Sequence, residues 1–256
     1  MSDLRKIMRE QRAKLGLTQA KTGRAINVSG SQIAAIENGR LIPQPPTAAR
    51  LDALFGTGNE IQKAAEAARD DAQPLWLRPW TEQEAKATLL RAWEPSLIPG
   101  LLQTEAYTLA VLRGSRLPKQ AVERTAQVRK DRQAATLGRA DPPMLSAIIG
   151  EAALMCGPTD VLKEQLEHVL RMTELPHVQV LVVPWSAGLH AGLSGAFVIA
   201  TLPNRHRVAY VDDQLRGRVV AGPEVERLEL AWEIVSGLAL PVHLSRDLIK
   251  KAVDQL

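Results

Sequence analysis

Two sets of side chains in this sequence have the types and spacing to do chemistry. The first is charged: Glu151 ends one apolar run, Asp212 and Asp213 end another, and Arg129 and Arg132 would share one helix face at i, i+3. Paired carboxylates can act as general acid and base, and paired arginines can hold an anion. Adjacent acids at a strand end are more often solvated turn residues or partners of arginine, so Arg129, Arg132, Glu151 and Asp212 are read as a candidate ligand or partner cleft without catalysis. The second set is hydrogen-bonding and small: Ser29, Gly30, Ser31, Gln32 and Ala35, followed by Asn38 and Arg40. An exposed run of such small groups would let a partner surface approach closely.

Other reactive types do not form a pattern. The five histidines, His168, His177, His190, His206 and His243, show neither i, i+4 spacing nor strand alternation, so no metal site is expected. The one cysteine, Cys156, follows an apolar segment with no base beside it in sequence and reads as a buried inert thiol; it also excludes an internal disulfide. "GLSG" around Ser194 lacks the spacing of a nucleophile elbow. No cofactor is expected, and the chain is read as non-enzymatic.

Charge separates the chain into two parts. The first fifty residues carry nine lysines and arginines against three acids, whereas the remaining sequence is close to balanced. A basic head on a near-neutral body points to a polyanionic partner. At 256 residues the chain is long enough for one small and one medium domain, each with a core. With a charged N-terminus and no long apolar run, it is expected to be cytoplasmic, associated with the nucleoid, and away from membranes.

The head must position the second set, and its pattern predicts five short helices. Leu4, Ile7, Met8 and Leu15 give the first an apolar stripe, ending at Gly16. Thr18 caps the second, which runs to Ile26, and Asn27 suits the left-handed conformation of a tight turn. In "NVSGSQIAAIENGR", Ser29 and Gln32 form a capping box, Val28 and Ile33 a hydrophobic staple, and Asn38 with Gly39 a stop. Leu51, Leu54 and Phe55 mark a fourth helix, and a fifth runs from about Asn59 to Asp70. Two short helices across a three-residue turn, the second rigidly started, describe a helix-turn-helix.

"GLTQ" followed by "VSGSQIAAIENGR" resembles the Xre and phage-repressor family over about residues 3 to 70. The resemblance implies DNA binding by Thr18, Gln19, Ser29, Gly30, Ser31, Gln32, Ala35, Asn38 and Arg40. Within that set, Gln19 and Arg40 would contact phosphates, with Asn38 close by, and residues 29–32 with Ala35 would face the major groove. It also implies a structural ion pair between Arg12 and Glu37. The sequence departs from the family at Thr22 and Gly23, where a large apolar residue and alanine are usual, and looser packing is expected there. Only Gln32 offers a long amide, so steep salt dependence and modest discrimination, about 1 kcal/mol per substituted base pair, are expected.

Residues 71–80, with two prolines and two tryptophans, are read as a linker, and 81–256 as an α+β regulatory and dimerisation domain with a sheet of about five strands. Trp76, Trp80 and Trp93 are read as packing residues. The strands are "ATLLRAWEP", "MLSAIIG", "VQVLVV", "GAFVIATL" and "VAYVD"; helices are expected from Thr104, from Pro118, at about 159–173, at about 224–240 and after Ser245. "EPSLIPGLLQTEAY", "RKDRQ", "GEAAL", "VQVLVVP", "GAFVI" and "VAYVDD" resemble, in order and spacing, the uncharacterised domain of WhiJ-like regulators of actinobacteria. That resemblance implies a transcriptional regulator, often a repressor, commonly encoded beside a small partner protein. The expected partners are double-stranded DNA with dyad symmetry, a second copy in a homodimer, and that small protein or a ligand. Alternatives are a DNA-targeted enzyme acting on a nucleotide-like metabolite, and an antitoxin repressing its own operon.

Overall fold

In the computed structural model, residues 4–70, 77–115, 117–212 and 217–256 are described. Trp76, Asp213 and most of the expected linker lie outside the described residues. The chain divides into two compact units, Met1–Arg78 and Pro79–Leu256.

The first unit carries α1 (Leu4–Lys14), α2 (Gln19–Ala25), α3 (Gly30–Glu37), α4 (Pro45–Phe55) and α5 (Glu60–Asp70). Its core joins Leu4, Ile7 and Met8 of α1 to Ile33 and Ile36 of α3, Leu51 of α4 and Ile61 of α5. Leu15, expected in the first stripe, is instead 51% exposed, because α1 ends one residue earlier and Leu15 lies in the turn before Gly16 (φ 60°). Asp52, which is buried, caps α5: its carboxylate accepts from the Thr57 hydroxyl at 2.6 Å and from the backbone N–H groups of Ile61 and Gln62 at 2.8 and 3.0 Å. Burial alone would raise this carboxyl, yet those hydrogen bonds more than offset it and hold it below the ordinary range.

α6 (Arg78–Glu84), all but its first residue in the second unit, begins within the stretch 71–80 that is expected to be linker. Pro79 sits in its first turn, where a missing N–H costs nothing. A six-stranded mixed sheet follows, one strand more than expected: β1 (Leu89–Glu94), β2 (Met144–Gly150), β3 (Val178–Val183), β4 (Phe197–Thr201), β5 (Arg207–Val211) and β6 (Arg218–Ala221), in the order β3-β2-β1-β4-β5-β6. β1, β2 and β3 run parallel; β4, β5 and β6 continue from β1 as an antiparallel meander. Between β1 and β2 lie α7 (Glu105–Gly114) and α8 (Lys119–Thr136), and between β2 and β3 lies α9 (Thr159–Met172). The near-continuous apolar run of β2 suits a strand covered on both faces.

α10 (Pro223–Leu238) packs Val225, Trp232 and Val235 against Trp93, Ile148, Phe197 and Ala209. The last helix, α11 (Val242–Asp254), begins before Ser245 rather than after it. Ser245 is buried and joins α11 to the sheet: its Oγ accepts from the Val182 N–H at 3.0 Å and donates to the Leu240 carbonyl at 2.9 Å. Leu240 N–H in turn donates to the Val182 carbonyl, so the outer edge of β3 is satisfied there from within the chain.

Candidate nucleic-acid interface and the polar cluster of the second unit

The start of α3 is held from several directions. Ser29 Oγ accepts from Gln32 N–H and Gln32 Oε1 accepts from Ser29 N–H, both at 3.1 Å, closing the capping box. The Ser29 and Ser31 hydroxyls meet at 2.8 Å. Asn27 has φ 62°, which lets the turn between α2 and α3 close. At the other end Gly39 has φ 71°; its N–H donates to the Ile36 carbonyl and that of Arg40 to the Ala35 carbonyl, a Schellman closure.

α2 and α3 meet too closely for side chains at two points. A Cβ on Gly23 would lie 2.7 Å from the Val28 carbonyl oxygen, and one on Gly30 would lie 3.0 Å from the Ala20 Cα. The looser packing expected at Thr22 and Gly23 is therefore corrected to a tighter one, with Thr22 fully buried. Gly30 faces α2 where a side chain would project, and offers a prospective groove only its backbone.

Glu37 sits at the centre of the unit. It is buried and accepts from Arg12 Nε and Nη2 and, at 2.7 Å, from Gln19 Nε2, while Arg12 Nη1 donates to the Leu17 carbonyl. The hydrogen bond to Glu37 leads in raising the Arg12 guanidinium above its ordinary range. Gln19 thus turns its amide toward Glu37 rather than outward. Arg9, which the sequence reading left aside, donates to the Glu37 carbonyl at 2.7 Å and to Asn38 Oδ1 at 3.2 Å. Ser29, Ser31, Gln32, Asn38 and Arg40 are exposed, Ala35 is half-buried, and Lys6, Arg9, Lys14, Lys21 and Arg24 are exposed on the same small unit. Since the cap uses Gln32 Oε1, its Nε2 is the atom left to donate to a base, and the bidentate pairing with adenine would break the cap.

In the second unit the first set of residues separates. Arg132 pairs with Glu84 of α6, Nε to Oε2 at 2.7 Å, at an angle too bent for a hydrogen bond there, and Nη2 donates to Oε1 at 3.4 Å. Trp80 Nε1 donates to the same Oε1 at 3.2 Å, and the Trp80 ring stacks on Tyr210 with centroids 5.5 Å apart. Burial pushes the Glu84 carboxyl up, and Arg132 opposes it. Arg129 Nη1 donates to Gln103 Oε1 at 2.5 Å, joining the two motifs "EPSLIPGLLQTEAY" and "RKDRQ".

Glu94, the first residue of "EPSLIPGLLQTEAY" but not among the expected cleft residues, shares this field. Burial and then Asp212 push its carboxyl up to about 7, against the pull of Arg129 and Arg132. Burial and the charge of Arg132 push Arg129 down to about 10. Tyr210 is raised by burial and by Asp212, to which its hydroxyl donates at 3.3 Å. Glu151 stands apart: its Oε2 accepts from the Trp185 N–H at 2.7 Å, tying the turn after β2 to the turn after β3. Cys156 is exposed rather than buried, because the apolar segment ends at Leu154 and the chain turns before Pro158. Trp80 and Trp93 are buried, the latter donating Nε1 to the Gly192 carbonyl at 2.7 Å.

A cavity of about 380 Å³ lies in this unit, and none of Arg129, Arg132, Glu151 and Asp212 lines it. Among the described residues no group of three or more His, Cys, Asp or Glu could hold a metal ion, and no helix is long and apolar enough to cross a membrane.

The compact bundle with its capped, exposed α3 is a helix-turn-helix, and residues 4–64 match the helix-turn-helix domain family; the first unit is a DNA-binding domain. Residues 77–251 match the family described as a domain of unknown function, DUF5753, and the chain belongs to that family. Neither a curated protein nor a solved structure matches the chain.

Proposed function

We propose that the chain is a sequence-specific transcriptional regulator of the WhiJ-like kind, a repressor acting as a homodimer, whose second unit receives a signal from a small protein or ligand. The observation that carries the reading is α3 itself, closed at both ends and presenting Ser29, Ser31 and Gln32 beside exposed lysines and arginines. Such a helix keeps its first turn at a fixed angle in a major groove, while the surrounding cations neutralise phosphates. Dimerisation is supported by exposed apolar side chains of the second unit, Leu230 and Ile234 on α10 and Leu189 and Leu193 in the loop beside it.

The test is duplex affinity of the full chain across salt concentration. Three to four neutralised phosphates per head give a slope of log affinity against log salt of about −3 for each head engaged. No binding in dilute buffer, or a flat dependence, overturns the reading.

A further inference from the structure

The cavity of about 380 Å³ lies among α7, α8, α9 and the turn at Gly100–Leu102, within the range of small-molecule sites. Three glutamines hold its wall open. Gln133 Nε2 donates to the carbonyls of Gly100 and Gln103 at 2.8 and 2.9 Å, and Gln165 Nε2 donates to that of Leu102 at 2.7 Å. Gln165 Oε1 accepts from Thr104 N–H at 2.7 Å, and Gln103 Nε2 donates to the Ile98 carbonyl at 2.7 Å. The polar backbone of the turn is satisfied by these side chains, so the neighbouring helices need not close over it.

The lining is apolar along Leu101, Ala126, Leu137 and Met172. Its charges cancel: Lys130 and Glu105 pair at 3.3 Å on the exposed rim. Burial, aided by Arg171 and opposed by Glu164, lowers His168 below the ordinary histidine value, which favours its neutral imidazole. His168 lines the cavity, and a neutral imidazole carries one donor and one acceptor nitrogen. Among the residues that line the cavity, a net ionic ligand would find no uncompensated opposite charge.

We infer that this cavity is a binding site for a neutral small molecule, its apolar body lying on Leu101, Ala126 and Met172 and a hydroxyl, carbonyl or N–H group meeting His168. It is the signal site of the second unit, a role that rests on the regulator reading above; occupancy of the cavity does not. The wall continues from Gln103 to Arg129, and the same helix carries Arg132 to Glu84 of α6, the first helix of this unit in sequence. A molecule that shifts α8 therefore acts on the element through which the chain enters the unit.

The probe is N-phenyl-1-naphthylamine, a neutral apolar fluorophore with one N–H, titrated into the full chain. The expected result is saturable one-to-one binding that weakens at least about tenfold in Ala126→Phe, weakens in His168→Ala, and is unchanged in Met155→Ser at the exposed turn after β2. Met172→Trp, filling the cavity from another helix, replaces Ala126→Phe should that variant melt early. Non-saturable binding, or binding indifferent to both fillings, overturns the site. A parallel duplex titration separates the two claims. A change of about threefold or more in duplex affinity with probe bound supports the signal role, and unchanged affinity with the cavity occupied overturns that role alone. Loss of all duplex binding would sink the regulator reading and leave the cavity result standing.

Discussion

Gly23 and Glu94 show how much a single position can carry. Alanine in a helix interior ordinarily gains about 1 kcal/mol over glycine, but at position 23 the added Cβ would press on the carbonyl oxygen of Val28, and backbone at a tight turn cannot give way. Gly23→Ala is therefore expected to destabilise the first unit by about 1–3 kcal/mol, read by denaturant unfolding; a stabilised variant would show that the turn moves. Two carboxyls, Asp52 buried and Glu94 half-buried, should respond to pH with opposite sign. Asp52, held below 3.8 by its hydrogen bonds, contributes stability that is present above that value and lost as pH falls through the lower folded-state value. Glu94, raised from 4.5 to about 7, favours folding fully below 4.5 and loses that contribution as pH rises through 7. Glu94→Gln should consequently stabilise the second unit by about 1–3 kcal/mol at pH 8, a range discounted for its partial contact with water, and by little at pH 4. Melting curves at the two pH values check this, and equal shifts at both would count against a buried, acid-repelled carboxyl.

At the scale of elements, α3 was legible because its bounds are written in neighbouring residues. Ser29, Gln32, Val28 and Gly39 each act within four positions, and local chemistry of this kind survives tertiary context. Five strands were legible as apolar runs for the same reason. β6 was not: four residues with exposed arginine and alanine at its ends carry too little pattern, and only pairing with β5 makes it a strand. α6 was hidden by prolines that read as linker although one of them sits where a helix tolerates it. The polar cluster was half legible. Arg129 and Arg132 stood out by spacing, but Glu84 and Glu94 lie far from them in sequence, and nothing local records that a fold will bury them together. The capping box also makes a prediction that separates shape from charge. Ser29→Ala removes the cap at a cost of about 1 kcal/mol to the unit and releases Gln32, so duplex affinity should fall while the salt slope stays the same. Anisotropy titrations at several salt concentrations read both quantities, and a shallower slope would mean that Ser29 serves chiefly to hold a phosphate contact.

For the whole molecule, the question is what one small head can achieve alone. Its exposed readers are two serines and one glutamine already committed to its cap, so under the proposed regulator reading each half-site would supply little discrimination and specificity would come from engaging two heads at once. On that proposal, paired half-sites about 34–36 Å apart would require two copies held by something other than the heads. α10 offers the means: Leu230 is 68% and Ile234 46% exposed one turn apart on a helix whose opposite side is core, with Leu189 almost wholly exposed in the loop beside it. Side chains of that size left in water on a single copy are expected to be covered by a second. Leu230→Asp with Ile234→Asp places two carboxylates at the centre of that surface, where burying them without partners is costly. The doubly substituted chain should sediment as a monomer and unfold cooperatively, with a melting temperature at or below the parent's that no longer depends on concentration. It should bind an isolated half-site as the parent does, yet lose about tenfold or more in affinity for a paired site. A variant that remains dimeric, or a parent that is monomeric at all concentrations, would move the source of specificity away from α10 and back to the head itself.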